Sequence, residues 1–404
     1  MCRRYMSHES KSVSHSSTDS DASMADVIRQ FGAKYLARFG RSMPFAQRNA
    51  MRAIEACRTP ALGGHLVRCQ SCDVQEFVYH SCRHRACPKC GQLQAHEWLE
   101  ARRTELLPVP YFHIVFTVPE ELRWLIRKHQ KKLYPKLITA AARTLTEVAA
   151  ESDHMSGTIG IMAVLHTWTR TLDFHPHVHC LVPAGYVDEH GAWQKASSPW
   201  LAPHEVLAKV FRAKLCAMMR AAVPGLQLPG SVHRTQWVVH VDLPKHGSDT
   251  VLKYLARYVH RVALSDHRIL KVTATHVRFK YRTRDRRDWQ FMTLKGHEFL
   301  RRFLQHVWPK GFHKVRYFGL WSRASHAKLI AIRQKLIGET KPTASPQPEP
   351  ASDSTSDAPR WLKCPHCKTG QRVILAQLKP CALSRARLPR PQLYSAAPDT
   401  TPPP

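Results

Sequence analysis

A pair of histidines inside an apolar stretch places the strongest constraint on how this chain folds. The stretch contains His177-Val178-His179, and an apolar run at residues 158–166 precedes it. Side chains alternate between the two faces of a strand, so His177 and His179 are predicted to project together while Val178 faces a core. The preceding run reads as an adjacent strand and carries His166. Neutral imidazoles on one side of a sheet are ligands for a divalent metal ion.

A second stretch combines tyrosines and arginines at helical spacing. Tyr254 and Tyr258 are four residues apart, so a helix at 249–262 would stack both phenols on one face. Arg257 and Arg261 would lie on a neighbouring face, where guanidinium groups suit phosphate recognition. An ordinary amphipathic helix with tyrosines at its boundary has the same pattern. The spacing is therefore compatible with a catalytic helix and with a structural one.

The charge balance favours a polyanionic partner. The 404 residues include 61 Lys+Arg against 30 Asp+Glu, which gives a formal net charge of +31. Such an excess favours phosphate contacts with nucleic acid, although ribosomal and membrane-surface proteins share it. No apolar run approaches the roughly eighteen residues of a membrane helix, and no signal peptide is evident. We therefore expect a soluble intracellular protein without a membrane partner.

The cysteine spacing is typical of zinc binding rather than of disulfides. Twelve cysteines in a reducing compartment indicate metal ligation, and two Cys-x2-Cys knuckles are separated by fourteen residues. These knuckles are predicted to hold one structural zinc through Cys69, Cys72, Cys87 and Cys90. A second set that could bind zinc is Cys57, His65, Cys82 and His84. Cys364 and Cys367 form a single knuckle with no obvious second pair.

These features together resemble a known family. The His177-Val178-His179 strand and the helix of Tyr254 and Tyr258 resemble the motifs of the HUH superfamily of single-strand DNA nucleases, named for His-hydrophobic-His. Within it, the chain is similar to two-tyrosine rolling-circle transposases of the insertion-sequence-ninety-one type, which have an N-terminal zinc-binding domain. Further blocks similar to this family occur, in the family's order, at 57–65, 106–117 and 299–307. The resemblance covers about residues 24–335.

Strands interspersed with helices predict an α+β fold with a central, largely antiparallel sheet. The resemblance implies the same: an HUH nuclease-like domain whose sheet is flanked by helices, preceded by a small zinc-binding domain. The expected domains are a disordered segment at 1–23, a helical and zinc-binding DNA-binding domain at 24–107, a catalytic domain at 108–338 and a Pro/Ser-rich tail at 339–404. Periodicity predicts strands at 111–118, 158–166, 177–183, 235–241, 276–281 and 289–294. It predicts helices at 26–39, 44–57, 93–107, 120–128, 131–150, 202–222, 249–262, 295–307 and 322–337.

The resemblance implies a specific chemistry. Tyr254 and Tyr258 would form 5′-phosphotyrosine links, so that single strands are cut and rejoined. His177, His179 and a third ligand would hold Mg²⁺ or Mn²⁺ beside the scissile phosphate. The candidates for that third ligand are His166, which the resemblance favours, and His113, Asp173 and His175.

The expected partner is DNA, as single-stranded element ends and target, in the bacterial cytoplasm and at the nucleoid. The expected DNA-binding residues are Arg257, Arg261, Arg278, Lys280, Arg282, Lys314 and Arg316. A solvated basic hairpin and loop would have the same composition around the last five of them. Two rival functions are a non-catalytic zinc-module DNA-binding protein and a metal-free tyrosine recombinase, which would leave a 3′-phosphotyrosine.

Overall fold

The computed structural model describes residues 22–91, 98, 101–198, 202–245, 263–282, 288–339 and 363–381. These residues fall into two compact units. Unit 1 contains the described residues of 22–91, 264–304 and 363–381, and unit 2 contains those of 98–263 and 305–339. Each unit therefore combines segments that are distant in the sequence.

The elements below are those within the described ranges. The helices are α1 (Met24–Phe39), α2 (Phe45–Ala56), α3 (Glu120–Lys128), α4 (Gln130–Ala150), α5 (His204–Ala222), α6 (Gly296–Leu304) and α7 (His326–Glu339). The strands are β1 (Gly64–Cys69), β2 (Gln75–Tyr79), β3 (Tyr111–Thr117), β4 (Gly160–Trp168), β5 (Phe174–Pro183), β6 (Gly185–Val187), β7 (Trp193–Lys195), β8 (Val239–Lys245), β9 (Ile269–Val272), β10 (His276–Tyr281), β11 (Gln290–Lys295), β12 (Val315–Gly319) and β13 (Arg372–Leu378). The predicted helix at 249–262 lies outside the described residues, and the one at 93–107 lies partly outside them. No helix in the described part of the chain is long and apolar enough to cross a membrane.

Unit 2 is built around a five-stranded sheet. Its strand order is β12-β4-β5-β3-β8, and every neighbouring pair of strands is antiparallel. Phe112, Ile114 and Phe116 of β3 share one hydrophobic core with the buried residues of α3, α4 and α5. The predicted α+β fold, with a central antiparallel sheet flanked by helices, is therefore confirmed.

Strand β5 lies in the middle of this sheet, and its side chains alternate in burial. Val178, Cys180 and Val182 are buried in the hydrophobic core, whereas His177 and His179 are only partly buried. This alternation follows from the two-residue period of a strand. It confirms the prediction that the two histidines project together from one face.

Unit 1 contains two three-stranded sheets. One has the order β13-β1-β2 and the other β11-β10-β9, and all their strand pairs are antiparallel. The predicted hairpin is confirmed, because β10 pairs with β11 along its whole length. One face of this hairpin packs on α6, where the ring centroids of Phe279 and Phe299 lie 5.6 Å apart.

The grouping of segments departs from the predicted order of domains. Residues 264–304 were predicted within the domain at 108–338, and 363–381 within the tail at 339–404, but both segments belong to unit 1. The first joins unit 1 because α6 and β9 contact α1. The second joins it because β13 pairs with β1. Unit 1 is therefore assembled from three parts of the chain.

Candidate functional site

Three histidines come together on the central strands of the sheet in unit 2. His166 of β4 is the direct strand partner of His177 of β5, and His179 follows two residues later on β5. Each side chain offers one ring nitrogen, and these atoms lie within 4.8 Å of one another. The structure therefore groups the three residues that were predicted as metal ligands.

The hydrogen bonding of His177 suits metal binding. Its Nδ1 donates to the carbonyl oxygen of His175 at 2.7 Å, so in this tautomer Nε2 carries the lone pair. Burial lowers the pKa of His177 to about 4. The imidazole is therefore neutral near pH 7, which is the state in which a histidine binds a metal ion.

A chain of hydrogen-bonded side chains lies behind His179. Its Nδ1 is 2.9 Å from Nε2 of His113, and Nδ1 of His113 is 2.7 Å from the carboxylate of Asp242. The hydrogen bond from His113 holds the pKa of Asp242 well below its usual range, so this carboxylate is ionised. His113 then donates to Asp242 and accepts from His179, which leaves Nε2 of His179 as the nitrogen with a lone pair. A carboxylate behind a histidine is the usual means of orienting a metal ligand.

Sequence reasoning did not identify this chain of side chains. Asp242 also accepts from Nε2 of His240 at 2.9 Å, and both residues lie on β8. The spacing His240-Val241-Asp242 puts two polar side chains on one face of a strand, and this was the available signal. His113, a candidate for the third metal ligand, instead contacts His179 from behind.

Asp173 and His175, which were also candidates for the third ligand, lie outside the group. Asp173 accepts from the hydroxyl of Thr171 at 2.6 Å in the turn between β4 and β5. The ring centroid of His175 is 5.4 Å from that of His177, and its nitrogens do not join the group of donors. Of the four candidates, only His166 is grouped with His177 and His179, and its side chain is buried.

The chemistry of this donor set fits a first-row divalent cation. Three imidazole nitrogens provide half of an octahedral shell or three corners of a tetrahedron, and both leave positions for other ligands. The strands that carry them pair in regular antiparallel register from Met162 opposite Leu181 to His166 opposite His177, which makes the arrangement rigid. The site is therefore suited to hold a metal ion beside a substrate.

The tyrosine stretch of the predicted site lies outside the described residues. This applies to Tyr254, Tyr258, Arg257 and Arg261. Their roles rest on their spacing in the sequence and on the family resemblance.

The β10–β11 hairpin of unit 1 presents cations and aromatic rings on one face. The guanidinium of Arg278 lies 5.1 Å from the ring centroid of Phe291. Lys280 and Arg282 lie 5.1 and 4.5 Å from the ring centroid of Trp289. Both rings are exposed, Phe291 by 54% and Trp289 by 37%. This combination suits contacts with nucleic-acid phosphates and bases, and strand pairing is what brings the rings to the three predicted cations.

Lys314 and Arg316 lie in unit 2, in a segment for which no strand was predicted. Arg316 is on edge strand β12 and pairs with Ala163. The carbonyl of Lys314 accepts from the backbone N–H of Leu165 at 2.9 Å. Both side chains are partly exposed, as expected at the edge of a sheet.

The cysteines form two clusters, and neither is the predicted set. One cluster contains Cys69, Cys72, Cys364 and Cys367, and the other contains Cys57, Cys82, Cys87 and Cys90. In each cluster the four sulfur atoms lie within 4.8 Å of one another. The predicted grouping of Cys69, Cys72, Cys87 and Cys90 is therefore wrong. Spacing defines each knuckle, but it does not determine which other cysteines face it.

The second predicted set is corrected as well. Sγ of Cys90 lies 3.6 Å from Sγ of Cys57 and 3.7 Å from Sγ of Cys82. Cys57 and Cys82 therefore belong with the knuckle of Cys87 and Cys90. His65 packs its ring against another imidazole, with 5.0 Å between centroids. Nδ1 of His84 accepts a backbone N–H at 3.1 Å. Neither histidine joins a cluster, so each cluster offers four thiols.

Comparisons with known proteins agree with these features. A family model described as "Transposase zinc-binding domain" matches residues 27–118, and one described as "Putative transposase" matches residues 160–328. The protein "Putative transposase y4qJ" of Sinorhizobium fredii is 36% identical over 378 residues, which cover 87% of this chain and 94% of that protein. "Transposase for insertion sequence element IS801" of Pseudomonas savastanoi pv. phaseolicola is 29% identical over 280 residues, 65% of this chain and 67% of that protein. No solved structure matches this chain.

The matched ranges coincide with the two kinds of site. The zinc-binding match contains six of the clustered cysteines, which indicates structural zinc, and the second match contains the three grouped histidines. The similarity to a transposase extends over most of the chain. The chain therefore belongs to the family of transposases of the insertion-sequence-ninety-one (IS91) type.

Proposed function

We propose that this transposase cuts and rejoins single-stranded DNA through 5′-phosphotyrosine intermediates, using a divalent cation, in rolling-circle transposition. The observation that carries this proposal is the grouping of His166, His177 and His179 within 4.8 Å on rigid central strands. Such a set of three imidazoles suits metal-dependent phosphodiester chemistry. A DNA-binding protein without catalysis would need no such group.

The cation is proposed to be Mg²⁺ or Mn²⁺. Bound by these residues, it would withdraw charge from the scissile phosphate and hold it in line for attack. Imidazole ligands favour Mn²⁺ over Mg²⁺. The chain's own contribution is orientation: His113 holds the ring of His179, and the carbonyl of His175 holds that of His177.

Tyr254 and Tyr258 are the proposed nucleophiles. The phenolic oxygen forms a bond to phosphorus while the bond between phosphorus and the 3′-oxygen breaks; the phenol loses its proton and the 3′-oxygen gains one. DNA on the 3′ side of the nick stays attached through its 5′-phosphate. The bond energy is retained, so attack by a 3′-hydroxyl can rejoin a strand without a nucleotide cofactor. Two tyrosines allow two such links to coexist or follow one another.

The proposed partner is single-stranded DNA at the element ends and at the target, in the bacterial cytoplasm and nucleoid. The exposed rings of Trp289 and Phe291, beside Arg278 and Lys280, support binding to unpaired bases. Stacking on an aromatic ring requires a base that is free of its duplex neighbours. The excess of positive charge over the whole chain supports additional phosphate contacts.

A covalent-adduct assay tests the proposal. Purified protein is incubated with Mn²⁺ and single-stranded element ends labelled on either side of the nick. We expect an adduct that retains the DNA on the 3′ side. The double variant Tyr254→Phe/Tyr258→Phe should form none, because only the two hydroxyls are removed. An adduct with the other fragment, or one that survives the double substitution, would rule out the mechanism.

Histidine variants test the role of the cation in the same assay. His177→Ala and His179→Ala should each abolish the adduct while DNA binding persists, since basic contacts elsewhere supply the affinity. His190→Ala is the matched control, because this side chain of unit 2 is 82% exposed and should be dispensable. Cleavage that continues undiminished in EDTA would refute the metal dependence.

A further inference from the structure

The knuckle of Cys364 and Cys367 lies against the first knuckle of the chain, Cys69 and Cys72, although Cys72 and Cys364 are 292 positions apart in the sequence. Sγ of Cys69 is 3.7 Å from Sγ of Cys367, and Sγ of Cys72 is 3.6 Å from Sγ of Cys364. Zinc–sulfur bonds of about 2.3 Å give sulfur–sulfur edges of about 3.8 Å in a regular tetrahedron. A disulfide would require about 2.05 Å. The four sulfurs therefore have the spacing of a tetrathiolate metal site.

The two knuckles share one local construction. In each, the residue after the second cysteine adopts a left-handed conformation, with φ of 56° at Asp73 and 63° at Lys368. In each, the N–H of that residue donates at 3.0 Å to the carbonyl of the first cysteine, Cys69 or Cys364. This turn points two thiols to the same side. Two equivalent half-sites facing each other make one four-ligand site.

Gly370 permits the close approach of the two halves. Its N–H donates to Sγ of Cys367 at 3.2 Å. A Cβ added at this position would lie 2.5 Å from Sγ of Cys69 and 2.7 Å from Oγ of Ser71, distances that no side chain tolerates. The backbone at Gly370 therefore packs directly against the first knuckle, with no room for a side chain between them.

Strand pairing and a buried ion pair hold the C-terminal half in register. Strand β13 pairs with β1 from Gly64 opposite Leu378 to Cys69 opposite Arg372. The guanidinium of Arg372 bonds the carboxylate of Glu76 on β2, and both side chains are almost fully buried. A buried charge without a partner is strongly destabilising, so a shift in the register of β13 that separated Arg372 from Glu76 would be unfavourable. The position of β13, and with it the C-terminal half of the site, is thus fixed by pairing with β1 and by the ion pair to β2.

We propose that Cys69, Cys72, Cys364 and Cys367 bind one structural zinc ion, which joins the C-terminal segment to the zinc-binding domain. The family match for that domain ends at residue 118, so it contains only half of this site. The other cluster, from Cys57 to Cys90, is complete within that match. Residues 363–381 are then a required part of the zinc-binding domain, and its second metal site is completed only after Cys367 has been synthesised. Each chain binds two zinc ions.

Metal counting on the full chain tests the proposal. We expect two zinc ions per wild-type chain and one in Cys367→Ser. Cys381→Ser is the matched control, because this tail cysteine lies outside both clusters and should leave two ions bound. Retention of two ions by Cys367→Ser would overturn the proposal. Iron in place of zinc would overturn the identity of the metal.

Double variants test which knuckles share an ion. Cys72→Ser/Cys367→Ser should lose the same single ion as Cys367→Ser, because both changes affect one site. Cys87→Ser/Cys367→Ser should lose both ions. Loss of both ions by Cys72→Ser/Cys367→Ser, or of only one by Cys87→Ser/Cys367→Ser, would overturn the proposed pairing of knuckles.

If serine variants do not fold, Cys367→His keeps a ligand and should retain two ions. The wild-type protein reconstituted with Co²⁺ should then show absorption for two tetrathiolate sites, and absorption for one would refute the proposal.

Discussion

Replacing Asp242 with Asn tests whether the side chains behind His179 tune the affinity of the proposed Mn²⁺ site. Asp242 lies 2.7 Å from His113, which lies 2.9 Å from His179. Asparagine keeps the shape and one acceptor oxygen but removes the charge. A charge-assisted hydrogen bond contributes roughly 1.5–3 kcal/mol. Losing it should orient His179 less firmly and so weaken its binding of the metal ion. Because changes behind a metal-binding histidine typically weaken affinity about 10- to 100-fold, we expect Kd for Mn²⁺ to rise by that factor.

The assay is a Mn²⁺ titration in which the electron paramagnetic resonance signal of free Mn²⁺ is followed. Asp153→Asn is the matched control, since this exposed carboxylate of unit 2 belongs to no metal-binding group. DNA cleavage by Asp242→Asn should fall at low Mn²⁺ and recover when Mn²⁺ is saturating. An unchanged Kd, while His177→Ala binds no Mn²⁺, would refute the reasoning. Cleavage that saturating Mn²⁺ does not restore would also contradict it.

Three further changes test other parts of the molecule. Hydrogen bonds from Arg301 lower the pKa of Glu298 to about 2, so its stabilisation is present above pH 4.5 and lost as the pH falls toward 2. Glu298→Gln should lower the free energy of unfolding at pH 7 by roughly 1–2 kcal/mol and flatten its acid dependence, followed by circular dichroism. Gly296→Ala would push a Cβ into the ring of Phe31 and should lower stability in urea by roughly 1–3 kcal/mol; wild-type stability would contradict this packing. Trp289→Ala should weaken binding of single-stranded DNA about 5- to 150-fold in a fluorescence anisotropy assay, and equal affinity would exclude stacking on this ring.

Local periodicity predicted the elements whose side chains alternate most clearly. The alternation around Val178 predicted a strand with both histidines on one face, and the structure confirms it. The hairpin of β10 and β11 was predicted from the same kind of signal. The prediction missed several strands, among them β12, which is a short edge strand, and β13, which lies in a segment whose composition resembled a linker. Both are held by their partners β4 and β1 rather than by their own sequence preference.

The sequence by itself determined which side chains share a face and which thiols share a knuckle, because both properties follow from spacings of two to four residues. Only the tertiary structure decided which segments meet. His179, His113 and Asp242 lie in line because β5, β3 and β8 are adjacent in the sheet. The knuckle of Cys69 faces one from the far end of the chain because β13 pairs with β1 and Gly370 admits close contact. Such pairings depend on hydrogen bonds and apolar burial summed over a whole unit. The spacing of a few neighbouring residues therefore cannot predict them.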